Sequence, residues 1–163
     1  ETYANSRRLE KSLRLQNADL NTQYNLYEAD LARPKVKDAD FRGKEKHLEY
    51  RARDKQPAML CTLVMHDNTD SQGVARYPVN TMPVMDPETD EVLIDSLGRR
   101  SYTTSQAFGP SVGKNIMLAY LPHEYCEVGR KLKVTYFDEP FEVEVAGVGY
   151  APLYDPENLK PRS

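Results

Sequence analysis

The pattern that decides the fold is Lys131-Leu132-Lys133-Val134-Thr135-Tyr136, with Phe141-Glu142-Val143-Glu144-Val145 following shortly after it. Apolar residues alternate with polar or charged residues in both runs, which is the period of a strand that buries one face. The turn-forming Asp138-Glu139-Pro140 joins the two runs. The stretch therefore predicts an antiparallel pair with one buried face and one charged face, on which lysines lie opposite glutamates.

Further strand signals lie upstream of this pair. The apolar run Ala58 to Met65 has the length of a strand and ends at a turn-rich loop, which predicts a buried central strand. A turn at 86–90, a short strand at 91–95 and a second turn at 96–98 predict a meander. Several short strands separated by turns predict a β-barrel or sandwich for residues 57–150, in an α+β chain that is mainly β.

The first 57 residues follow a different pattern. Their leucines are too irregularly spaced for one long amphipathic helix, so we expect short elements that pack onto something else. Arg33-Pro34 breaks any helix, which predicts a boundary near residues 34–42. Good helix formers between Gly43 and Asp54 predict a short exposed helix that ends before Pro57.

Composition excludes several classes of protein. The net charge of −3 argues against a dedicated nucleic-acid-binding protein, which normally carries a basic excess. The hydrophobic share is 39% with no long apolar run, so the sequence predicts no membrane span. Two cysteines cannot form a disulfide framework, which favours a reducing compartment. The chain begins at Glu1 without an apolar signal core, and we interpret this start as a cut within a longer protein.

Generic motifs indicate no catalytic chemistry. The loop from Gly109 to Lys114 has three residues between its glycines and Asn115 after the lysine, so it fails the spacing of a phosphate-binding loop and predicts a chain reversal. The three histidines have no recognised zinc or calcium spacing, so no metal site is predicted. Cys61 is expected in the core, and an acidic neighbour is expected to raise the pKa of Cys126.

Longer motifs resemble a known family. Three segments resemble, in order and spacing, the second half of the folate-binding domain in the glycine-cleavage T-protein family: Arg8-Leu9-Glu10-Lys11-Ser12, Tyr27-Glu28-Ala29-Asp30-Leu31 and Asp40-Phe41-Arg42-Gly43-Lys44-Glu45. The segment from Thr104 to Pro122 resembles the turn and strand of that family's small C-terminal barrel. The resemblance implies that residues 1–45 end a tetrahydrofolate-binding domain, that 46–155 form the antiparallel β-barrel, and that 156–163 are a tail.

The resemblance also implies a site. Glu10 matches the family glutamate that holds the pterin ring, and a carboxylate suits this role because it accepts two N–H bonds from the ring's edge. A solvated surface charge is the alternative for Glu10. Tyr3 falls at a folate-lining tyrosine and would stack on the ligand, with simple core packing as the alternative. Arg8 would orient Glu10 or a neighbouring carboxylate.

Other positions leave questions open within that resemblance. The glutamate tail of folate should meet a cation, and the sequence does not choose between Arg33, Arg42 and Arg162. The family usually has glycine at the positions of Asn17, Asp30 and Gln106, of which the first two tolerate left-handed backbone. The family's catalytic aspartate belongs to the preceding half-domain, so this chain alone is expected to hold no catalytic residue.

Within the family, Leu9-Glu10-Lys11, Leu60-Cys61-Thr62-Leu63 and the 67–73 loop resemble the dimethylglycine dehydrogenase group of N-demethylating enzymes. These enzymes resemble fusions of an amine-oxidising front module, often with FAD, to a tetrahydrofolate domain that captures the released carbon as 5,10-methylenetetrahydrofolate. The expected partner is the missing N-terminal region or a separate chain that completes the folate domain. A cytoplasmic location, or the mitochondrial matrix in a eukaryote, is expected, and the oligomeric state is left open.

Three alternative functions remain. The first is a trimethylamine-N-oxide demethylase, in which a similar folate domain follows a metal-dependent front module. An aminomethyltransferase of glycine cleavage is a further enzyme of this family. In the third alternative the chain is a non-catalytic structural subunit, which the basic excess of residues 1–57 and the poor apolar periodicity of residues 1–40 fit equally well.

Overall fold

A computed structural model describes residues 3–160. Two α-helices and a 3-10 turn accompany six strands in this range: α1 (Tyr3–Glu10), α2 (Lys44–Arg51), β1 (Ala58–Met65), β2 (Val84–Met85), β3 (Thr103–Gly109), β4 (Lys114–Pro122), the 3-10 turn (His123–Tyr125), β5 (Lys131–Tyr136) and β6 (Glu139–Val148). Among these described residues no helix has both the length and the apolar character needed to cross a membrane. The mainly β class predicted from the sequence is confirmed.

The six strands form one antiparallel sheet in the order β2-β5-β6-β1-β4-β3. The sheet curls into a half-barrel. The pairing of β1 with β6 shifts register between Thr62 and Leu63, and such a bulge bends a strand and increases its twist. β1 lies at the centre of the sheet between β6 and β4, as predicted for a buried strand.

The β5–β6 hairpin confirms the alternating pattern. Lys131 pairs in register with Glu144 and Lys133 with Glu142, so the charged side chains share one face. Leu132, Val134 and Val143 are buried on the other face. The turn itself differs from the prediction: Phe137 and Asp138 have positive φ and make the reversal, while Glu139 and Pro140 already belong to β6.

The predicted meander forms with less regular strand structure than expected. Residues 91–95 pair only through isolated bridges, in which Val92 faces Met85 and Ile94 faces Arg100. Both predicted turns are present. The Asp86 amide donates a hydrogen bond to the Glu91 carbonyl, and the Gly98 amide donates one to the Asp95 carbonyl. The region therefore extends the sheet without adding a full strand.

The central strands bury both of their faces. Along β4, Met117, Ala119 and Leu121 pack in the inner core of the half-barrel. The intervening residues Ile116, Leu118 and Tyr120 pack on the outer face, in a second cluster that includes Leu9 and Ala29. The N-terminal segment, residues 3–30, thus covers the outside of the sheet, and we call this contact the seam.

Candidate functional site

The seam is held by an apolar cluster that α1 completes. Leu9 is fully buried against the outer face of the sheet, and Ala29 is buried beside it. The helix contacts β3 and β4, and the Leu60 amide of β1 donates to the Glu28 carbonyl at 2.8 Å. These contacts join the N-terminal segment to the barrel as one packed unit.

Glu10 ends α1 at the seam and is only 1% exposed. Its Oε1 accepts a hydrogen bond from the Ser111 backbone N–H at 2.5 Å, in the turn between β3 and β4. A Cβ added to Gly109 would lie 2.6 Å from the Ile116 side chain, 2.8 Å from that of Val112 and 3.1 Å from the Glu10 Cγ, so glycine leaves room for all three side chains at the start of this turn. The surface-charge alternative for Glu10 is wrong, because the barrel turn encloses its carboxylate.

Arg7 covers the other oxygen of the same carboxylate. Its Nη1 lies 3.4 Å from Glu10 Oε2 and donates to the Ser111 hydroxyl at 2.9 Å. The Arg7 side chain is 44% exposed, and its guanidinium lies 5.0 Å from the centre of the Tyr3 ring. Tyr3 is itself 76% exposed, so it packs in no core formed by residues 3–160.

Arg8 does not contact Glu10 in this arrangement. Its guanidinium forms an ion pair with Asp19 at 2.9 Å and donates to the Ser105 hydroxyl at 2.8 Å. Asp19 is fully buried and also accepts hydrogen bonds from the Thr104 hydroxyl and the Leu15 amide. Arg8 therefore pairs with a neighbouring carboxylate, one of the two partners predicted, and its bonds tie α1 to β3.

A second buried ion cluster lies elsewhere on the seam. Arg99 pairs with the carboxylates of Glu28 and Asp95, both almost completely buried, and its guanidinium lies 4.3 Å from the centre of the Tyr24 ring. That ring stacks on Tyr120 with 3.6 Å between centroids. Burial opposes the charge of Arg99, but its hydrogen bonds to the two carboxylates raise its pKa overall. Burial also raises the pKa of Tyr24 to about 12.

Sequence reasoning missed these seam charges. The partners Arg99 and Glu28 are 71 residues apart, and Thr104 and Asp19 are 85 residues apart, so no local spacing indicates them. One signal was present for Asp95, whose carboxylate accepts the amides of Leu97 and Arg99 in a turn that the sequence did predict. An aspartate that opens a turn with an arginine four residues later is a pattern that could have revealed that pair.

Other predicted positions have clear outcomes. Asn17 and Asp30 adopt positive φ, at 67° and 52°, as expected where the family carries glycine. Gln106 lies in β3, and its backbone does not have positive φ. Arg33 and Arg42 are exposed and precede α2 in the chain, while Arg162 falls outside the described residues. The predicted chain reversal at 109–114 is confirmed, since the Gly113 amide bonds the Gly109 carbonyl.

The two cysteines lie together, and one prediction about them is wrong. Cys61 is buried in the core as expected, with its Sγ 3.7 Å from the Sγ of Cys126. The pKa of Cys126 is lowered because the Cys61 thiol donates to its sulfur, an effect that outweighs the nearby Glu124 charge. Among residues 3–160 no group of three or more His, Cys, Asp or Glu side chains is placed to hold a metal ion.

The antiparallel half-barrel and its covering segment define the class of protein. Residues 78–155, just under half of the chain, match the family described as the glycine cleavage T-protein C-terminal barrel domain, which supports a C-terminal fragment of this family. The match begins after β1, although β1 is the central strand of the sheet. The structural unit therefore extends upstream of the matched residues.

Named relatives add detail to this assignment. The chain is similar to mitochondrial dimethylglycine dehydrogenase of Rattus norvegicus, with 29% identity over 136 residues that cover 82% of this chain and 14% of that protein. The human enzyme of the same name is 28% identical over 161 residues, which cover 97% of this chain and 16% of that protein. The aligned residues thus span only 14–16% of the length of these relatives.

A solved structure shares the fold. The glycine cleavage system aminomethyltransferase T from Bartonella henselae superposes with a TM-score of 0.67 at 21% identity, over 91% of this chain and 38% of that chain. The similarity shows that the chain shares the fold of that protein over 91% of its length.

Proposed function

We propose that this chain is the C-terminal, tetrahydrofolate-binding part of an N-demethylating enzyme related to dimethylglycine dehydrogenase. Residues 1–45 would complete the folate-binding domain and 46–155 would form the supporting barrel. The human dimethylglycine dehydrogenase matches over 161 residues, which include the seam as well as the barrel, and this supports a shared arrangement of the two parts. When bound, tetrahydrofolate supplies the nitrogens that take up the one-carbon unit as 5,10-methylenetetrahydrofolate.

The observation that carries the proposal is that the two oxygens of the Glu10 carboxylate have different hydrogen-bond partners. The Ser111 amide fixes Oε1, while the only side chain on Oε2, among residues 3–160, is the half-exposed Arg7 at 3.4 Å. A carboxylate has acceptor capacity for several donors, so Oε2 retains room for N–H groups of a pterin once Arg7 moves. The donor chemistry of this site fits the proposed ligand.

Exposed apolar side chains support a larger assembly. Four leucines of the N-terminal part are each more than 40% exposed: Leu13, Leu15, Leu26 and Leu31. Such a concentration in a short segment is typical of a surface that another part of the protein covers. In the proposed enzyme this surface meets the preceding half of the folate domain, and the front module with FAD precedes that half.

The residues of this chain would act by binding and positioning. Glu10 would orient the pterin, and Tyr3 beside Arg7 would offer a ring to stack on the ligand. Arg8 would position Glu10 indirectly, because its bonds to Asp19 and Ser105 hold α1 on β3. A one-carbon unit released beside a bound folate reacts faster than one that must diffuse to it.

Calorimetric titration of the whole enzyme with tetrahydrofolate tests this function. The Glu10→Gln variant keeps the size of the side chain and an oxygen for the Ser111 amide, but it loses the charge. A hydrogen bond to a charged group is worth about 1.5–3 kcal/mol, so we expect affinity to fall roughly 10- to 100-fold. Glu45→Gln, on the exposed surface of α2, is the matched control and should bind as the parent does. Equal affinity for all three proteins would refute the role of Glu10.

A non-catalytic structural role is the second candidate. It is favoured by the 1% exposure of Glu10 and by the complete engagement of Arg8 with Asp19, Ser105 and the Leu13 carbonyl. In that case the seam charges serve only to join segment and barrel. A whole protein that binds no folate, with or without Glu10, would establish this second function over the first.

A further inference from the structure

The two cysteines of the chain meet at one end of the inner core. Cys61 lies in the central strand β1, and Cys126 follows the 3-10 turn directly after β4. Their sulfurs are 3.7 Å apart although the residues are separated by 65 positions in sequence. A disulfide has its sulfurs about 2.05 Å apart, so a small rotation of the two side chains would bring them to bonding distance.

The surroundings make the two sulfurs chemically different. Cys61 is fully buried and its thiol lies within hydrogen-bonding distance of the Cys126 sulfur and of the Met59 carbonyl, while Cys126 is only partly buried. The Cys61 thiol donates to the Cys126 sulfur, which lowers the pKa of Cys126 and raises that of Cys61. Cys126 also lies within hydrogen-bonding distance of the Leu121 and Pro122 carbonyls. A partly exposed thiol with a lowered pKa beside a second, buried thiol is the usual arrangement of an attacking and a resolving cysteine.

We propose that Cys126 and Cys61 form a redox modification site that takes a hydroperoxide and closes to an intramolecular disulfide. The Cys126 thiolate attacks the peroxide oxygen, the O–O bond breaks, and the departing oxygen takes a proton, which leaves a sulfenic acid on Cys126. The Cys61 sulfur then attacks the Cys126 sulfur, and the S–O bond breaks as hydroxide leaves with the Cys61 proton as water. Two thiols are oxidised and one hydroperoxide is reduced, so atoms and electrons balance.

The Cys61–Cys126 disulfide would fix the link between β4 and β5, which other contacts already hold in place. Residue 126 lies in the link between β4 and β5, where the Tyr125 hydroxyl donates to Asp86 at 2.8 Å and Arg130 lies over the Tyr125 ring. The disulfide would tie this link to the centre of the sheet. Closing so long a loop restricts the unfolded chain, and therefore the oxidised protein should unfold at higher denaturant concentration than the reduced one.

Mass spectrometry of the 163-residue chain treated with hydrogen peroxide tests the site. We expect the intact mass to fall by two hydrogen atoms, both thiols to disappear, and a peptide map to join the peptides of Cys61 and Cys126. In Cys61→Ser the reaction should stop at a sulfenic acid on Cys126 that a dimedone probe captures. In Cys126→Ser the buried Cys61 should react at least about tenfold more slowly.

Two results would overturn the proposal. One is a parent chain that keeps both thiols under peroxide conditions that consume a small-molecule thiol completely. The other is oxidation that joins separate chains or adds oxygen to Cys126 without joining it to Cys61. Both results are measured on the parent chain, so the test does not depend on whether the cysteine variants fold.

Discussion

Replacing Leu9 by alanine would remove a fully buried side chain from the seam. Leu9 packs with Ala29, Leu60 and Leu118 in the buried cluster on the outer face of the sheet. Leucine-to-alanine changes in such sites cost about 2.7–5 kcal/mol, because both transfer energy and a residual cavity contribute. We expect a loss of roughly 3 kcal/mol in the free energy of unfolding.

Urea unfolding of the 163-residue chain, followed by circular dichroism, measures this loss. With a slope of about 2 kcal/mol per molar urea, the midpoint should fall by roughly 1.5 M. Leu13→Ala is the matched control, since the same change at a side chain that is 49% exposed should cost less than about 1 kcal/mol. Equal midpoints for the two variants would refute the reasoning, because the N-terminal segment would then not unfold together with the barrel.

Two further predictions concern the seam. Gly149→Ala should destabilise the chain by about 2 kcal/mol, because Gly149 has φ +67° and a Cβ there would collide with the Asp30 carboxylate. The control Gly73→Ala, at φ +79° with open space around it, should cost about 1 kcal/mol. The urea midpoints of both variants measure the difference, and a larger loss of stability at Gly73 would contradict the prediction. The raised pKa of Tyr24, about 12 against an ordinary 10, means that its contribution to stability is complete below pH 10 and is lost as the pH rises toward 12. Tyr24→Phe should therefore show a shallower fall of the urea midpoint over that range, and parallel curves for parent and variant would show that Tyr24 carries no such contribution.

The sequence predicted those elements whose signal is local. The β5–β6 hairpin shows strict alternation because one of its faces is charged, and its lysine–glutamate pairing follows from the same pattern. β1 was recognisable as a short apolar run bounded by turns. In β4 nearly every residue is buried, so no alternation was available and the strand was found only through resemblance to a family.

The candidate site was harder to predict because its contacts are long-range. Glu10 was identified by motif, but its bond to the Ser111 amide joins residues 101 positions apart and has no local signature. The role of Arg8 depends on Asp19, which reaches it through the loop after α1. The predicted direction of the Cys126 pKa shift is wrong for the same reason. The main cause of the shift is the distant Cys61, which lowers the pKa, and not the neighbouring acid, which would raise it.

A structure of the whole enzyme with tetrahydrofolate bound tests the central claim most directly. The account predicts that Glu10 Oε2 lies within hydrogen-bonding distance of a pterin N–H, that Oε1 still accepts the Ser111 amide, and that Arg7 has left the carboxylate. A pterin bound away from Glu10, with the Arg7 contact to that carboxylate intact, would contradict it.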